Sequence, residues 1–301
     1  MSEAAGFGSL VTSRVEARES QIVLGLDPDP GRLWPGIPAP DAGTAGEQAA
    51  AAVAAHCGAL ISAAGPACVA VKPQLACFER LGAPGREALG EVCSMAREAD
   101  LIVIADGKRG DIDVSAAAYA SSLFGGFGTP YGHVDGLGAN AATVNPYMGI
   151  DTVSTVVDAA RETGAGVFVL VRTSNPGAAD FEDLPTGAGP VWERVASAVA
   201  QIGQSDDGGL TDVGAVVGAT APEHIGRMRE LMPSSIFLLP GVGAQGGSVE
   251  SLAPAFGPGR AAGLVTASRS IARAGEESGK DPAQAAREEA ERLRELDWSL
   301  G

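Results

Sequence analysis

The sequence predicts an α/β fold, a single (β/α)8 TIM barrel that spans residues 1–301 as one domain. Short apolar runs rich in β-branched residues recur along the chain, and Ala-rich stretches with helical periodicity separate them, as in βα units around a parallel sheet. Eight such units fill the 301 residues, a common length for this barrel. None of the intervening loops has the length or composition of an interdomain linker.

Each strand is predicted from an apolar run that ends at a polar or glycine-rich segment. In chain order the strands are 21–27, 67–72, 101–106, 138–145, 167–172, 213–219, 235–240 and 262–267. The fourth is the weakest, because alanine and asparagine dilute it. Helical periodicity is clear at 45–64 and 86–99, and a last helix is expected to begin at Pro282 with Asp281 as N-cap. Loops rich in Gly and Pro are expected at 28–44, 121–136, 173–190 and 203–212.

The charge balance argues against nucleic acid and membranes as partners. A formal net charge of −16 leaves no basic surface for a phosphate backbone or for anionic lipid. No segment reaches the roughly eighteen consecutive apolar residues of a membrane span, and the first twenty residues do not read as a signal peptide. The sequence therefore predicts a soluble, cytoplasmic protein.

The cysteines and histidines do not have the spacing of a metal site. The four cysteines lack CxxC spacing and are expected to be small buried side chains: Cys57, Cys68, Cys77 and Cys93. The three histidines lie far apart in the chain, at His56, His133 and His224. These residues therefore predict no metal site.

Lysine is rare in a chain that uses arginine freely. Three lysines stand beside eighteen arginines, and two of the three, Lys72 and Lys108, follow the apolar runs ACVAVK and LIVIADGK. Arginine stays protonated near neutral pH, whereas lysine can give up a proton. A lysine kept at the end of a buried strand therefore indicates proton transfer.

In a (β/α)8 barrel the active site lies at the C-terminal ends of the strands, so the charged residues that end each run are the candidates. They are Asp27, Lys72, Asp106, Lys108 and Asp111, joined by the loops TSNPG, GVGAQGG and ASRS. Taken alone, a DxKxxD turn is typical of a solvated ion-pair cluster. The other segments of the chain change that interpretation.

The segment Asp106-Gly-Lys108-Arg-Gly-Asp111-Ile112 resembles the DxKxxDI signature of the orotidine 5′-phosphate decarboxylase family, in the DxKRGDI form of one bacterial branch. The segments GLDPDP, VKPQLACFER, TVNPYMG, LVRTSNPG, VGAVVGAT, LLPGVGAQGG and SRSIARA fall in the family's order and spacing, so the resemblance covers nearly the whole chain. It implies a barrel that decarboxylates orotidine 5′-monophosphate to uridine 5′-monophosphate (UMP) without a metal or cofactor, in pyrimidine biosynthesis.

The resemblance also implies roles for individual residues. It puts four residues into the family's alternating charge array: Lys72, Asp106, Lys108 and Asp111. It implies a homodimer in which Asp111 reaches into the neighbouring subunit's site. Asp27 and Lys72 match residues that hold the ribose, as do Asp111 and the Ser115 hydroxyl from the other subunit. Many relatives have threonine in place of Ser115, and Asp113-Val114 replaces the usual small residues before it.

Substrate binding is implied by the loops after the later strands. Gln245 and Arg269 match the family's phosphate ligands, with the backbone amides of Ser268 and Arg269 helping, and many barrels bind phosphate at this position. Ser174 matches the residue that reads the pyrimidine edge. The loop 241–247, with its four glycines, is expected to close on the phosphate. Asn145-Pro146-Tyr147 also matches the family, but a turn-forming role fits it equally well.

The implied chemistry gives Lys108 two tasks. Loss of CO2 leaves a carbanion at C6 of the pyrimidine ring, and a preorganised ammonium stabilises that charge and then donates the proton that completes UMP. Asp106 and Asp111 would hold the ammonium in place and keep it protonated.

Two alternatives remain open. A magnesium-dependent member of the same superfamily would need an acidic ligand at the end of the second strand, where this chain has Lys72. A barrel that binds a nucleotide or sugar phosphate without turning it over would tolerate loss of part of the charge array, and all four charges are present.

Overall fold

Eight parallel strands close into a barrel in the computed structural model, which describes residues 6–38, 40–219, 222–241 and 249–300. Each strand pairs with the next one in the chain, and the last closes on the first. The predicted TIM barrel is therefore confirmed. In chain order the strands are β1 Ile22–Leu26, β2 Ala70–Pro73, β3 Ile102–Arg109, β4 Ala141–Val144, β5 Gly166–Arg172, β6 Val213–Val217, β7 Phe237–Leu239 and β8 Gly263–Ala267.

Helices surround the barrel and connect its strands. Those in the described ranges are α1 Phe7–Arg18, α2 Ala45–Ala64, α3 Leu75–Glu79, α4 Ala83–Glu98, α5 Asp113–Leu123, α6 Ile150–Arg161, α7 Val191–Ile202, α8 Pro222–Leu231, α9 Arg269–Ala272, α10 Ala274–Ser278 and α11 Pro282–Trp298. Short 3-10 helices lie at Pro30–Arg32, Gly65–Ala67, Pro176–Asp180, Val249–Phe256 and Arg260–Ala262.

The predicted strands differ from the observed ones mainly in length. β4 is shorter than predicted, and β3 runs three residues further, through the first part of the signature segment. Three loops contain structure that the sequence analysis did not predict. The loop 28–44 holds the 3-10 helix Pro30–Arg32. The loop 121–136 holds an antiparallel hairpin of Phe127–Thr129 with Gly132–Val134, and the loop 173–190 holds a 3-10 helix and a hairpin whose strands have two residues each. The glycine and proline content of these segments indicated loops instead.

Helix α1 closes the N-terminal end of the barrel, and the sequence analysis missed it. Phe7, Val11 and Val15 are buried against the side chains that fill the barrel interior. The Phe7 ring meets Phe168 of β5 edge to face, with 5.8 Å between ring centroids. A Cβ at Gly166 would collide with the Phe7 ring, so helix α1 can pack against β5 only if this strand residue is glycine. The open end of the barrel is therefore the C-terminal one.

Helix α2 is a core helix of the barrel. The segment Ala45–Ala67 is long and apolar enough to cross a membrane by length and composition alone. Its apolar residues nevertheless pack inside the protein, because Val53, Leu60 and Ile61 are buried in the main hydrophobic cluster between helices and strands. Thr44 and Glu47 begin the helix with a capping box.

The cysteines are free thiols, three of them buried as expected. Burial raises the pKa of the Cys68 thiol to about 12 and that of Cys93 to about 11, which leaves both protonated and unreactive at neutral pH. The expectation was wrong for Cys77, which is only half-buried on the short helix α3. This helix lies near the open end of the barrel, where outer positions stay partly solvated.

Helix α11 starts as predicted and carries a buried carboxylate at its other end. The Asp281 carboxylate accepts a hydrogen bond from the Gln284 amide at 3.0 Å, and Pro282 occupies the first turn. Asp297 is fully buried, and neither of its oxygens has a hydrogen-bond partner among the described residues. Burial raises the pKa of Asp297 to about 7.

Asp297→Asn should remove a pH dependence of stability. The folded protein holds a proton on Asp297 that the unfolded chain releases near pH 4, so this group's contribution is complete below pH 4 and falls as the pH rises to about 7. A pKa shift from 3.8 to about 7 corresponds to roughly 4 kcal/mol, at about 1.4 kcal/mol per pKa unit.

Urea unfolding at pH 5 and pH 8 checks this prediction. At pH 8 the variant should be more stable than the wild type. Its free energy of unfolding should change much less between pH 5 and pH 8 than that of the wild type. Equal pH dependence in both proteins would show that Asp297 is ionised in the fold.

Candidate active site

A cavity of about 710 Å3 opens at the C-terminal ends of the strands. Its floor is the uppermost layer of side chains that point into the barrel, and this layer is polar on one side and apolar on the other. The polar side is formed by Lys72, Asp106 and Thr143, and the apolar side by Leu170, Val216 and Leu238. Charged groups on the polar side thus lie next to a surface that excludes water.

Asp106 is the centre of the polar side, and each of its carboxylate oxygens accepts two hydrogen bonds. Oδ2 accepts from Lys72 Nζ and, at 3.2 Å, from Gln74 Nε2. Oδ1 accepts from Lys108 Nζ at 2.6 Å and from the Thr143 hydroxyl at 2.9 Å. The carboxylate is therefore fully hydrogen-bonded although it is almost completely buried.

The two ammonium groups keep Asp106 ionised. Burial alone would raise its pKa, but the positive charges of Lys72 and Lys108 outweigh burial and lower the pKa to about 2. The stability contributed by this ionised group is present above pH 4 and is lost as the pH falls towards 2. At neutral pH the site therefore contains an ionised carboxylate between two ammonium groups.

A bulge at the end of β3 exposes Lys108 to the cavity. The parallel pairing of β3 with β4 slips between Ala105 and Arg109, so three residues of β3 lie opposite Thr143 alone. Lys108 takes a left-handed backbone conformation there, with φ of 46°, which is unfavourable for a residue with a side chain. Its side chain is 42% exposed, whereas that of Lys72 is buried. Lys108 is thus the more exposed of the two lysines that line the cavity.

Strands β1 and β8 bring three of the other predicted residues to the cavity. Asp27 follows β1, and Ser268 and Arg269 follow β8 at the start of α9. The two strands are adjacent, and a Cβ at Gly25 would collide with Ser268 Oγ, so glycine is required for this close approach. Gln245 and the predicted closing loop 241–247, apart from Gly241, lie outside the described residues.

Ser174 lines the cavity on a loop that is tied to the end of β5. Arg172 makes a bidentate ion pair with Asp183, at 2.8 and 2.9 Å. Glu182 accepts hydrogen bonds from both the amide and the hydroxyl of Thr173, each at 2.9 Å. The residue just before Ser174 is therefore held by side chains from the far end of the same loop.

Asp111 and Ser115 do not reach this cavity within one chain. The Asp111 carboxylate accepts a hydrogen bond from the next backbone amide, that of Ile112, at 2.8 Å. It borders a separate small crevice, together with Tyr119 and Asn145. Ser115 is exposed in the first turn of α5. The structure thus brings together Lys72, Asp106 and Lys108, and leaves Asp111 on the outer surface.

Two neutral residues of the site were missed by the sequence analysis, which weighed charged residues at the strand ends and residues implied by the family resemblance. Gln74 lies two positions after Lys72 and donates to the same carboxylate. Thr143 lies within the predicted fourth strand. The alternation of inward and outward side chains along a strand could have identified both, because each lies two residues from another inward position.

Comparison with known proteins identifies the family. A family model described as "Orotidine 5'-phosphate decarboxylase / HUMPS family" matches residues 14–288. The chain belongs to this family. The orotidine 5′-phosphate decarboxylase of Deinococcus radiodurans is 42% identical to it over 299 residues, which cover 98% of each protein. The family that the signature segment predicted is therefore confirmed.

Solved structures of the orotidine 5′-phosphate decarboxylase family share the fold. The OMP decarboxylase of Leishmania donovani is 33% identical, with a TM-score of 0.72, and the match covers 97% of this chain and 98% of that one. The UMP synthase of the same organism is 34% identical, with a TM-score of 0.74. That match covers 98% of this chain but 57% of the synthase, so this chain spans little more than half of the larger protein.

The described residues contain no cluster of three or more His, Cys, Asp or Glu side chains arranged to hold a metal ion. At the end of β2, where the magnesium-dependent alternative requires an acidic ligand, the buried side chain is that of Lys72.

Asp106→Asn should destabilise the protein. The neutral amide leaves the buried Lys72 ammonium without its counter-charge, and removal of one partner of a buried ion pair costs about 3–5 kcal/mol. Denaturant unfolding at pH 7.5 measures the change in the free energy of unfolding.

Asp111→Asn is the matched control, because an amide oxygen can still accept the hydrogen bond from Ile112 and, among the described residues of one chain, Asp111 makes no ion pair. Its unfolding free energy should match the wild type. Wild-type stability of Asp106→Asn would mean that the ion pair contributes nothing to the fold.

Proposed function

We propose that this chain converts orotidine 5′-monophosphate to UMP and CO2 in pyrimidine biosynthesis, with Lys108 as the group that acts on C6. The observation that carries the proposal is the pair of ammonium groups on one buried, ionised carboxylate at the mouth of the barrel. Membership of the orotidine 5′-phosphate decarboxylase family and the names of the relatives support the choice of substrate.

Lys108 is suited to stabilise a carbanion. Its ammonium is fixed at 2.6 Å from an ionised carboxylate, and its solvent-exposed side faces the cavity. The Leu170, Val216 and Leu238 side of the floor lowers the local dielectric, which strengthens the field of the ammonium on a charge developing at C6. Because the ammonium is in place before the reaction, little reorganisation is needed as CO2 leaves.

Lys108 also supplies the proton. When the C6–CO2 bond breaks, its electron pair stays on C6, and CO2 departs without charge. The N–H bond of the Lys108 ammonium then breaks, its proton bonds to C6, and the neutral amine remains beside Asp106. Reprotonation of the amine from solvent completes the cycle, favoured by the adjacent carboxylate.

The remaining predicted residues would hold the substrate. Arg269 and the Ser268 amide would bind the phosphate, with Gln245 as a third ligand. Asp27 lies between this end of the cavity and the lysines, where it and Lys72 would bind the ribose hydroxyls. Ser174 on the opposite loop would contact the pyrimidine edge. The substrate is an anion at both ends, which matches a cavity with lysines at one end and arginine at the other.

The test is the loss of ultraviolet absorbance of orotidine 5′-monophosphate with purified protein in excess chelator, beside Lys108→Ala. We expect rapid loss that chelator does not change and that the variant slows at least about 10³-fold. A requirement for magnesium would move the protein to the metal-dependent alternative. No loss with the wild type would favour a barrel that binds a nucleotide without turning it over.

We further propose a homodimer in which Asp111, with Ser115, completes the site of the partner subunit. Apolar side chains are exposed around Asp111 on α5 and on the segments that flank it, among them Ile112, Val114 and Tyr147. Val114 is 83% exposed and Tyr147 84%, and clusters of this kind on soluble proteins mark interaction surfaces.

The segment that carries Asp111 is held in place before any partner binds. Arg109 makes an ion pair with Glu79 on α3, and its guanidinium lies over the Tyr119 ring, 5.5 Å from the centroid. Both contacts fix the turn between β3 and α5, so Asp111 is presented on the surface in a defined position. A partner subunit could receive it without large rearrangement.

Hybrid dimers test the shared site. Lys108→Ala and Asp111→Asn should each be inactive alone, but half of the dimers formed on mixing are hybrids, each with one site free of both changes. About a quarter of wild-type activity should therefore return if subunits exchange freely.

Lys108→Ala mixed with Asp106→Asn is the matched control, since both residues belong to the same side of the site and no hybrid site is intact. Equal activity in the two mixtures would mean that Asp111 serves its own subunit. Light scattering gives the mass of each mixture.

We also propose that residues 1–301 act as one domain in the cytoplasm. The described elements form one barrel with its helices, and all four cysteines are free, as suits a reducing compartment.

A further inference from the structure

Thr143 lies opposite an interruption of the barrel ladder beneath the active site. On either side of it the pairing of β3 with β4 is regular, with Ala105 opposite Ala142 and Arg109 opposite Val144. Between these pairs, residues 106–108 of β3 face Thr143 alone. A bulge of this kind leaves backbone groups without their ladder partners.

The Thr143 hydroxyl replaces the missing partner. It accepts a hydrogen bond from the Lys108 backbone amide at 2.9 Å and donates one to Asp106 Oδ1, also at 2.9 Å. The Thr143 side chain is buried, so water does not compete for either bond. One hydroxyl thus links the backbone of the lysine to the carboxylate that binds its ammonium.

We propose that Thr143 is a positioning residue for decarboxylation. It sets the place of the Lys108 ammonium because it holds both the backbone of Lys108 and the carboxylate that binds the ammonium. The amide bond fixes the left-handed backbone of Lys108, and the carboxylate bond fixes the oxygen on which its Nζ rests. The proposal rests on the role of Lys108 proposed above. Thr143 itself acts only through Lys108 and Asp106.

The geometry explains why a hydroxyl is required at this position. Lys108 and Thr143 both donate to Oδ1, whereas Lys72 and Gln74 both donate to Oδ2. Loss of the threonine donor would leave Oδ1 with the half-exposed lysine as its single partner. It would also leave the Lys108 amide unpaired in a strained conformation, which favours relaxation of the bulge.

Thr266 shows that a threonine in this layer does not form such bonds by default. It lies on β8, across the barrel from β4, and lines the same cavity. Its buried hydroxyl has no hydrogen-bond partner among the described residues. The two bonds of Thr143 therefore arise from its place opposite the bulge.

Two pairs of proteins separate the effect of the Thr143 hydroxyl from the effect of side-chain shape. Wild type and Thr143→Val have side chains of the same shape, and Thr143→Ser and Thr143→Ala both lack the methyl group, so each pair differs chiefly in the hydroxyl. Thr211→Val is the matched control, because its hydroxyl donates to the Val213 carbonyl at 3.0 Å at the closed end of the barrel. Circular dichroism and thermal unfolding check that each variant folds.

We expect kcat of Thr143→Val to fall about 10- to 100-fold with KM changed less than about threefold, because the ammonium is misplaced in the transition state while the substrate-binding groups are intact. Thr143→Ser should recover to within about threefold of the wild type, and Thr143→Ala should not. The control Thr211→Val should stay within about twofold. If Thr143→Val does not fold, the serine and alanine pair decides.

A second measurement tests whether the loss lies in proton transfer between Lys108 and C6. By microscopic reversibility the enzyme should exchange the C6 hydrogen of UMP for solvent deuterium through the same lysine, and NMR follows this exchange without decarboxylation. Thr143→Val should slow the exchange about as much as it slows kcat.

Retention of wild-type kcat and exchange by Thr143→Val, with Lys108→Ala inactive, would overturn the inference and leave the proposed function standing. An equal loss in Thr143→Ser and Thr143→Ala would also overturn it, because packing would then be the cause. An active Lys108→Ala would contradict the proposed function itself, and the inference with it.

Discussion

A single ionised carboxylate in the interior of the barrel constrains the rest of the site. Asp106 stays charged because four donors, two of them ammonium groups, converge on it from three neighbouring strands and the residues that follow them. Convergence on one buried point is what closure of a parallel sheet provides, since strand ends meet around a common axis. In this barrel β2, β3 and β4 are consecutive neighbours, so their inward side chains reach the same carboxylate.

The two sides of the cavity floor have complementary effects. On one side, Lys72 neutralises Asp106 from beneath, which leaves the second ammonium of the cluster available to the ligand. On the other side, aliphatic side chains keep solvent from screening that charge. The bulge in β3 lies between them and costs backbone strain at Lys108, which neighbouring hydrogen bonds offset. Strain held in place by its surroundings is common at reactive groups.

The strands were predictable because each is buried on both faces, so its sequence is an unbroken apolar run. Even the diluted fourth run forms β4, since paired neighbours on both sides hold it. Helix α1 was not predictable in the same way, because its position depends on the contact of Phe7 with Phe168, far away in the sequence. The charged residues of the signature were found from spacing and family resemblance. Thr143 was not, since its role depends on a register slip that no local pattern records.

Helix α1 covers one end of the barrel and leaves the C-terminal ends of the strands open. Phe7, Val11 and Val15 seal the far end, so substrate, CO2 and nucleotide product must all pass through the same mouth. CO2 is small enough to leave past a bound nucleotide, which gives the reaction a natural order of release. Helix α1 also begins on the sealed face, where the Gly6 amide donates to Asp206 at 2.7 Å. A surface tether attached to this face would leave the mouth pointing into solution, a useful orientation for immobilised protein.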